Sequence, residues 1–409
     1  MKKLLETIAR LRRAPGWSGF SLGLLPLFML AHFGHHTVNA LAVPLLPMIR
    51  EDFGLDYTRA GLLVAALTVP YGLSQFPAGW LADRLGPRLL LTVGISGVAA
   101  AGLLAGLAPG YPLLFLALVA MGIAGGGYHP AAPPLIAAVV EPQNRGRAMG
   151  LHMVGGSAPF FLAPLMAVAL AAAWGWRGTF IALALPTILF GVVFHLLLGR
   201  HLSAKAAGEG AGPSSPQTEA ASPGAARRIA PFIVLSTVTH SVTYCVIAFI
   251  PLYMVDRFGL GKEAAAAFIA LFYSAGLWAS LLGGVLADRF GSVAVVLAVC
   301  LLTGPAIYLL NVIPTAFGVG CLLFVLGGCN YVRTPVSETY LVAGTTERNR
   351  STVLGVYYFA TYEGGGVLTP LMGLLMDRLG FAASFTLAAA LLLAVSLVCG
   401  VWLRRGARH

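Results

Sequence analysis

The sequence predicts an all-α integral membrane protein: twelve transmembrane helices in two pseudo-symmetric six-helix bundles. Three observations predict it. Of the 409 residues, 58% are hydrophobic and only 10% charged, with a mean hydropathy of +0.84. A soluble domain carries about 25% charged residues, so this chain lacks the polar surface needed to face water on all sides. Twelve stretches reach the roughly 20 apolar residues that cross a hydrocarbon core. Finally, Leu81-Ala82-Asp83-Arg84 returns as Leu286-Ala287-Asp288-Arg289, a shift of 205 residues. The same shift carries Phe53-Gly54-Leu55 to Phe258-Gly259-Leu260, Gly79 to Gly284, Gly86 to Gly291, Pro130 to Pro335 and Gly175 to Gly380. One register held across both halves marks a tandem duplication. In an apolar chain, duplication is the mark of a two-lobed transporter.

Spans 1 to 6 read as 19–46, 59–82, 88–108, 112–139, 147–172 and 178–199. Spans 7 to 12 read as 230–255, 264–287, 292–313, 315–342, 352–376 and 381–403. They define an N-terminal lobe, 1–199, and a C-terminal lobe, 229–409. Between them, the Gly, Ser, Pro and Ala run of 200–228 cannot bury a core and is expected to be a flexible linker. The basic start Met1–Arg13 has no short apolar core followed by a cleavage site, so no removable signal is expected. Placing the N-terminus in the cytoplasm puts 19 of the 26 Lys and Arg on that side, leaving six opposite and Arg333 inside a helix. The chain is therefore expected to be a multi-pass protein of the inner or plasma membrane, with both termini cytoplasmic. Its net charge of +11 follows from that topology and meets anionic lipid headgroups first, so no nucleic-acid partner is invoked. The five cysteines lie in apolar spans of the second half without a CxxC pair, which points to packing rather than to disulfides or thiolate ligands. No GxxxxGK[ST] loop occurs, which excludes ATP hydrolysis by that route.

The run Gly79-Trp80-Leu81-Ala82-Asp83-Arg84-Leu85-Gly86-Pro87-Arg88 closes span 2 and opens span 3. Gly86 suits a positive-φ turn and Pro87 a first helical position. Asp83 stands where a carboxylate can bond exposed N–H groups of a neighbouring helix start. Arg84 and Arg88 can pair with acids or helix ends across the lobe interface, with Glu141 and Glu347 as available acids. Asp288 and Arg289 repeat the pattern. Two copies in register favour a conformational lock over a charged turn that only sets topology.

On this run, and over essentially its whole length, the chain resembles the major facilitator superfamily, whose signature lies between the second and third helices. The resemblance implies two six-helix bundles around a central cavity that opens alternately to either side by rocking. The first half looks most like fosmidomycin-resistance-type efflux proteins, on His32, on Gly122 through Pro130, and on Arg145 through Gly150 running into Gly155-Gly156. It departs from them where His35-His36 replaces an Asn-Asp pair, and where Ser157-Ala158 separates Gly156 from Pro159.

Ionisable groups inside a span cost several kcal/mol unless a cavity or a partner receives them. His32, His35, His36 and Asn39 fall at i, i+3, i+4 and i+7, on one helical face. The repeat maps His35 onto His240 and His152 onto Tyr357. Imidazoles there can line a cavity and carry protons, can bond between helices, or can bind metal. The first reading leads. The spacing His32-x-x-His35-His36 also occurs in membrane di-iron oxygenases, but the further ligands such a site needs are missing, so no metal, cofactor or enzymatic activity is expected. His129 adjoins Pro130 and Gly125-Gly126-Gly127, a stretch suited to bending or to close packing.

Arg333 and Glu338 in span 10 and Glu363 in span 11 are the deep charges of the second half. Arg333 suits an anionic group, or an ion pair with Glu338 or Glu363, and its five-residue offset from Glu338 takes those two off a common stack. Glu363 and Glu338 are candidate proton carriers, since an acid in low dielectric can hold its proton near neutral pH. Tyr357, Tyr358, Thr361 and Tyr362 offer a polar-aromatic wall or plain helix packing. Gln75, Tyr244 and Asn330 complete the candidate cavity. The function expected is that of a monomeric secondary active transporter moving a small organic molecule by proton-coupled efflux. Import or exchange of organic anions is the alternative, and a non-transporting receptor or enzyme a third.

Overall fold

The computed structural model describes residues 24–140, 145–206, 225–345 and 347–406. The basic N-terminal stretch, Glu141 and most of the linker (207–224) lie outside the described residues, as do the side chains of Asp83, Glu347 and Tyr362. The described chain is helical throughout, without a strand.

The twelve predicted spans are present as rods, several of them broken. Span 1 runs from the helix Leu24–Asn39 through turns to Leu46, and a short helix, Leu46–Phe53, opened by Pro47, carries the chain past the end of the span. Span 2, Tyr57–Leu85, starts earlier than predicted because Asp56 caps it, accepting the Arg59 N–H at 2.7 Å. Span 3, Pro87–Gly106, contains a π-helical turn at Val93–Gly97. Span 4 breaks at Gly126-Gly127 into Tyr111–Gly125 and Tyr128–Val139, at the glycine run that the sequence marks as soft. Spans 5 and 6 form one trace, Arg145–Ala206, whose only non-helical residue is Gly175. Span 7 is Ala225–Phe258. Span 8 bends by 53° between Lys262–Leu277 and Leu282–Phe290. Span 9 is Ser292–Val312, span 10 Ala316–Ala343, and spans 11 and 12 share Glu347–Gly406 with its break at Gly380.

The repeat is written into the backbone. The described residues with positive φ are six glycines, and they fall into three pairs at the 205-residue shift: Gly54 and Gly259 (58° and 64°), Gly86 and Gly291 (84° and 83°), Gly175 and Gly380 (65° and 76°). At each position L side chains are strained, so the two halves turn at the same points for the same steric reason.

Within a lobe, span 1 packs on spans 5 and 6, and span 7 on spans 11 and 12; between lobes, span 2 runs along span 11 and span 5 along span 8. The seam between spans 2 and 11 is tight because glycine lets backbone approach: the Gly61 Cα faces the Thr369 carbonyl, and Gly72 faces the Glu363 carboxyl. Leu104, Leu116, Leu189, Leu302, Leu397 and Trp402 stand exposed on the outer faces. An apolar belt of that extent suits acyl chains, not water.

Candidate functional site

Five spans converge on a histidine cluster in the first lobe. His32, His35 and His36 share one face of span 1, and His129 from span 4 and His152 from span 5 join them. The His32 ring lies 4.1 Å from His152, 4.9 Å from His36 and 5.2 Å from His129. His32 donates from Nδ1 to the His152 carbonyl at 2.8 Å, and His35 from Nδ1 to the Gly94 carbonyl, in the π turn of span 3, at 2.6 Å. A carbonyl only accepts, so each Nδ1 holds a proton and, in the neutral ring, each Nε2 a lone pair. The His35 Nε2 accepts from Tyr71 at 3.0 Å, whereas the His32 Nε2 is buried without a partner. Asn39 donates to the His35 carbonyl at 3.1 Å, and Gln75 sits half-buried one turn beyond Tyr71.

The second lobe answers with a guanidinium. Arg333, 1% exposed, donates from Nη1 to the Ser236 hydroxyl at 2.5 Å and its carbonyl at 3.0 Å. From Nη2 it donates to His240 Nδ1 at 2.9 Å, Asn330 at 3.2 Å and Thr334 at 3.3 Å. Because guanidinium only donates, the His240 Nδ1 must be bare. Arg333 Nε has no partner. Ser236 also meets Ser337 at 2.9 Å and Tyr357 at 3.2 Å. Among the described residues no carboxylate lies within ion-pair distance of Arg333. Glu338 bonds the Tyr358 hydroxyl. Glu363 lies at the seam against Gly72, 6% exposed, with Oε1 unpartnered. Tyr244 stacks below His240 at 6.4 Å.

These clusters occupy equivalent positions. The repeat pairs His35 with His240, His152 with Tyr357 and, unnoticed in the sequence, Tyr128 with Arg333. In the first lobe Tyr128 stacks on His35 at 4.3 Å and lies 5.9 Å from His152. In the second lobe Arg333 bonds His240 directly and Tyr357 through Ser236. A row of rings joins the lobes: His36 to Phe160 at 5.0 Å, then Phe160 to Tyr273 at 5.3 Å.

Among the described residues, the repeated charged turns make no contact between lobes, and Asp83, Glu141 and Glu347 lie outside the described side chains. Gly86 and Gly291 take the expected positive φ. Arg88 donates to the His195 carbonyl at 2.9 Å inside its own lobe, Arg84 covers Trp80 at 4.1 Å, Arg289 covers Phe290 at 5.3 Å, and Asp288 is exposed. Gly79 lies within the helix of span 2.

Among the described residues, the polar bridges between lobes lie at the opposite end, at the Gly54 and Gly259 turns, where the sequence analysis placed no site. Arg50 pairs with Asp256 at 2.5 Å, Tyr57 donates to the same carboxylate, and Lys262 pairs with Glu51. Asp377 caps the start of span 2 from the other lobe, accepting the N–H groups of Tyr57 at 2.9 Å and Thr58 at 2.8 Å. The repeat maps Glu51 onto Asp256 and Tyr57 onto Lys262. The contacts Tyr57–Asp256 and Lys262–Glu51 are therefore one contact made twice, exchanged by the pseudo-twofold axis, as in an isologous interface. That reciprocal pattern was readable in the sequence once the shift was applied to polar loop residues.

Comparison with known proteins agrees with the architecture. The profile of the Major Facilitator Superfamily matches residues 28–330 and 232–409. The chain is 28% identical to the "Probable sulfoacetate transporter SauU" of Cupriavidus necator, over 91% of this chain and 90% of that one. It is 26% identical to the "Multidrug resistance protein MdtG" of Enterobacter lignolyticus, over 90% of this chain and 88% of that one. A bacterial homolog of the human lysosomal transporter Spinster, solved in an inward-facing and occupied conformation, superposes with a TM-score of 0.74 at 18% identity, covering 97% of this chain and 98% of that one. With its two six-helix halves, its repeated charged turns and these matches, the chain belongs to the major facilitator superfamily of membrane transporters.

Proposed function

We propose that the chain is a proton-coupled secondary active transporter of a small organic anion, held by Arg333. The observation that carries this reading is a fully buried guanidinium whose hydrogen bonds, among the described residues, go to neutral acceptors, and whose Nε is unpaired. A buried charge without a counter-ion costs several kcal/mol, and an arriving carboxylate, sulfonate or phosphate offsets that cost. The relative described as a probable sulfoacetate transporter supports the same substrate chemistry. Glu363 is proposed as the proton carrier, an enclosed carboxyl at the seam where the lobes move past each other. The excess of Lys and Arg at the Gly86 end favours a cytoplasmic assignment for that end. On that assignment the Gly54 end is external, and its interlobe bridges belong to an inward-facing state.

Proteoliposomes with an imposed pH gradient test the proposal, using small sulfonates and dicarboxylates as substrates. Arg333→Gln is expected to lower flux by about 100-fold, the worth of a charge-assisted hydrogen bond pair, while Arg333→Lys retains part of it. Wild-type flux in Arg333→Gln would remove the anion reading. The multidrug relative favours a second reading, proton-driven efflux of apolar compounds. The same vesicles decide between them: efflux of an uncharged apolar dye unaffected by sulfonates supports the second and counts against the first.

A further inference from the structure

We infer that the first lobe holds a binding site for a divalent first-row transition-metal ion of the zinc, nickel or cobalt type, made by His32, His36 and His129. One ring nitrogen of each lies within 4.8 Å of the others. This inference is independent of the anion reading, which rests on the other lobe.

Four observations converge on it. His32 is 2% exposed, and its Nδ1–H is committed to the His152 carbonyl. Its Nε2 lone pair is therefore presented in a fixed orientation, yet has no partner. A buried acceptor left empty costs about 1–3 kcal/mol, so the arrangement calls for something to receive it. A backbone carbonyl that holds the far nitrogen of a histidine ring is the usual support of a metal-ligating imidazole, because it fixes the tautomer and raises ligand basicity.

The ring is also held by close packing. Gly156 packs so closely on the His32 ring, at the carbon between its two nitrogens, that any Cβ there would overlap it, and the His152 ring stacks on His32 at 4.1 Å. Preorganisation of this kind is what a ligand set needs and a packing histidine does not. The neighbouring His35 shows the contrast: both its nitrogens are satisfied, by Gly94 and Tyr71, and it stays outside the trio.

Three imidazoles with no protein carboxylate among them select borderline ions over magnesium or calcium, which take oxygen ligands. Three ligands also leave a fourth tetrahedral position open to water or to a donor atom on a transported molecule. The i, i+4 spacing of His32 and His36 gives two ligands from one helix, and span 4 supplies the third just after its break at Gly126-Gly127.

The tag-free full-length protein in nanodiscs, stripped with chelator and titrated with cobalt or zinc alone, tests the site. One metal ion per chain is expected, with visible cobalt absorption of the tetrahedral type. X-ray absorption of the zinc form is expected to show at least three imidazole nitrogens at about 2.0 Å. Single His32→Ala, His36→Ala and His129→Ala variants are expected to weaken binding by about 10–100-fold or more, and His195→Ala to leave it unchanged. The absorption measurement needs no variant, so the proposal stays testable if the cluster variants fail to fold. Absence of a stoichiometric ion on the wild type, fewer than three imidazoles around it, or full retention of binding in the three single variants would overturn the site.

Discussion

Gly72 shows how one missing methyl group shapes this protein. A Cβ there would run into the Glu363 carboxyl, so the smallest residue on span 2 makes room for the enclosed acid of span 11. Gly72→Ala is expected to displace that carboxyl and to lower proton-coupled flux at least about tenfold, in the range of a lost general-acid contact, while a thermal-shift assay still reports folded protein. Unchanged flux would show that the acid has no part in transport. Asp52 behaves differently, beyond the end of the first span. The hydrogen bond from Arg177, backed by Trp176 at 3.2 Å, holds its carboxyl below the usual carboxylate range. A depressed folded value means the pair's contribution is present above about pH 4 and lost as the pH falls through that folded value. Both groups are more than a third exposed, so solvent limits the pair to about 0–1 kcal/mol. Asp52→Asn is therefore expected to lower the melting temperature slightly at pH 7 and to match the wild type in strong acid.

At the level of elements, glycines decide where a continuous helical trace becomes two crossings. Gly175 and Gly380 combine φ near 70° with extended ψ of 179° and 173°, a region that is almost exclusively glycine's. Alanine at either position is expected to cost about 1–3 kcal/mol. Because the two turns are repeat copies, the two variants should lower the melting temperature by similar amounts in detergent. A large loss at one and none at the other would mean that the halves no longer share a folding logic. The breaks of spans 1, 4 and 8 differ in kind. Span 4 breaks at Gly126-Gly127, where Gly126 lies tightly against Tyr71 and Ser74 of span 2, so packing and bending are one feature there.

For the whole molecule, the lobes meet through ion pairs and a reciprocal polar contact at one end and through glycine seams along their length. Each exposed pair is worth about 0.2–1 kcal/mol, enough together to bias a two-state rocking equilibrium several-fold. Asp256→Ala removes the partner of both Arg50 and Tyr57. It is expected to raise the population open at the Gly54 end, seen as longer spin-label distances between the starts of spans 2 and 8. Distances that stay short would assign the closed state to the seams alone. Asp83→Asn addresses the opposite end and is expected to impair transport while leaving expression intact; wild-type flux would discard the lock at that turn.

Apolar composition and the 205-residue register were sufficient for the membrane class, the two six-helix halves, the twelve crossings and the Gly86 turn, and they paired the other glycines without marking them as turns. These depend on local chemistry, namely what a span must be made of and where only glycine can turn. The helical face of His32, His35 and His36 was legible for the same reason, since it needs only the helical period. Which side chains meet across helices depends on how separate rods pack, and no local pattern encodes that. Folding alone decided that Arg333 finds serine, threonine, asparagine and histidine in place of an acid. It also decided that His129 and His152 close on span 1, and that the lobes clasp at the Gly54 turns.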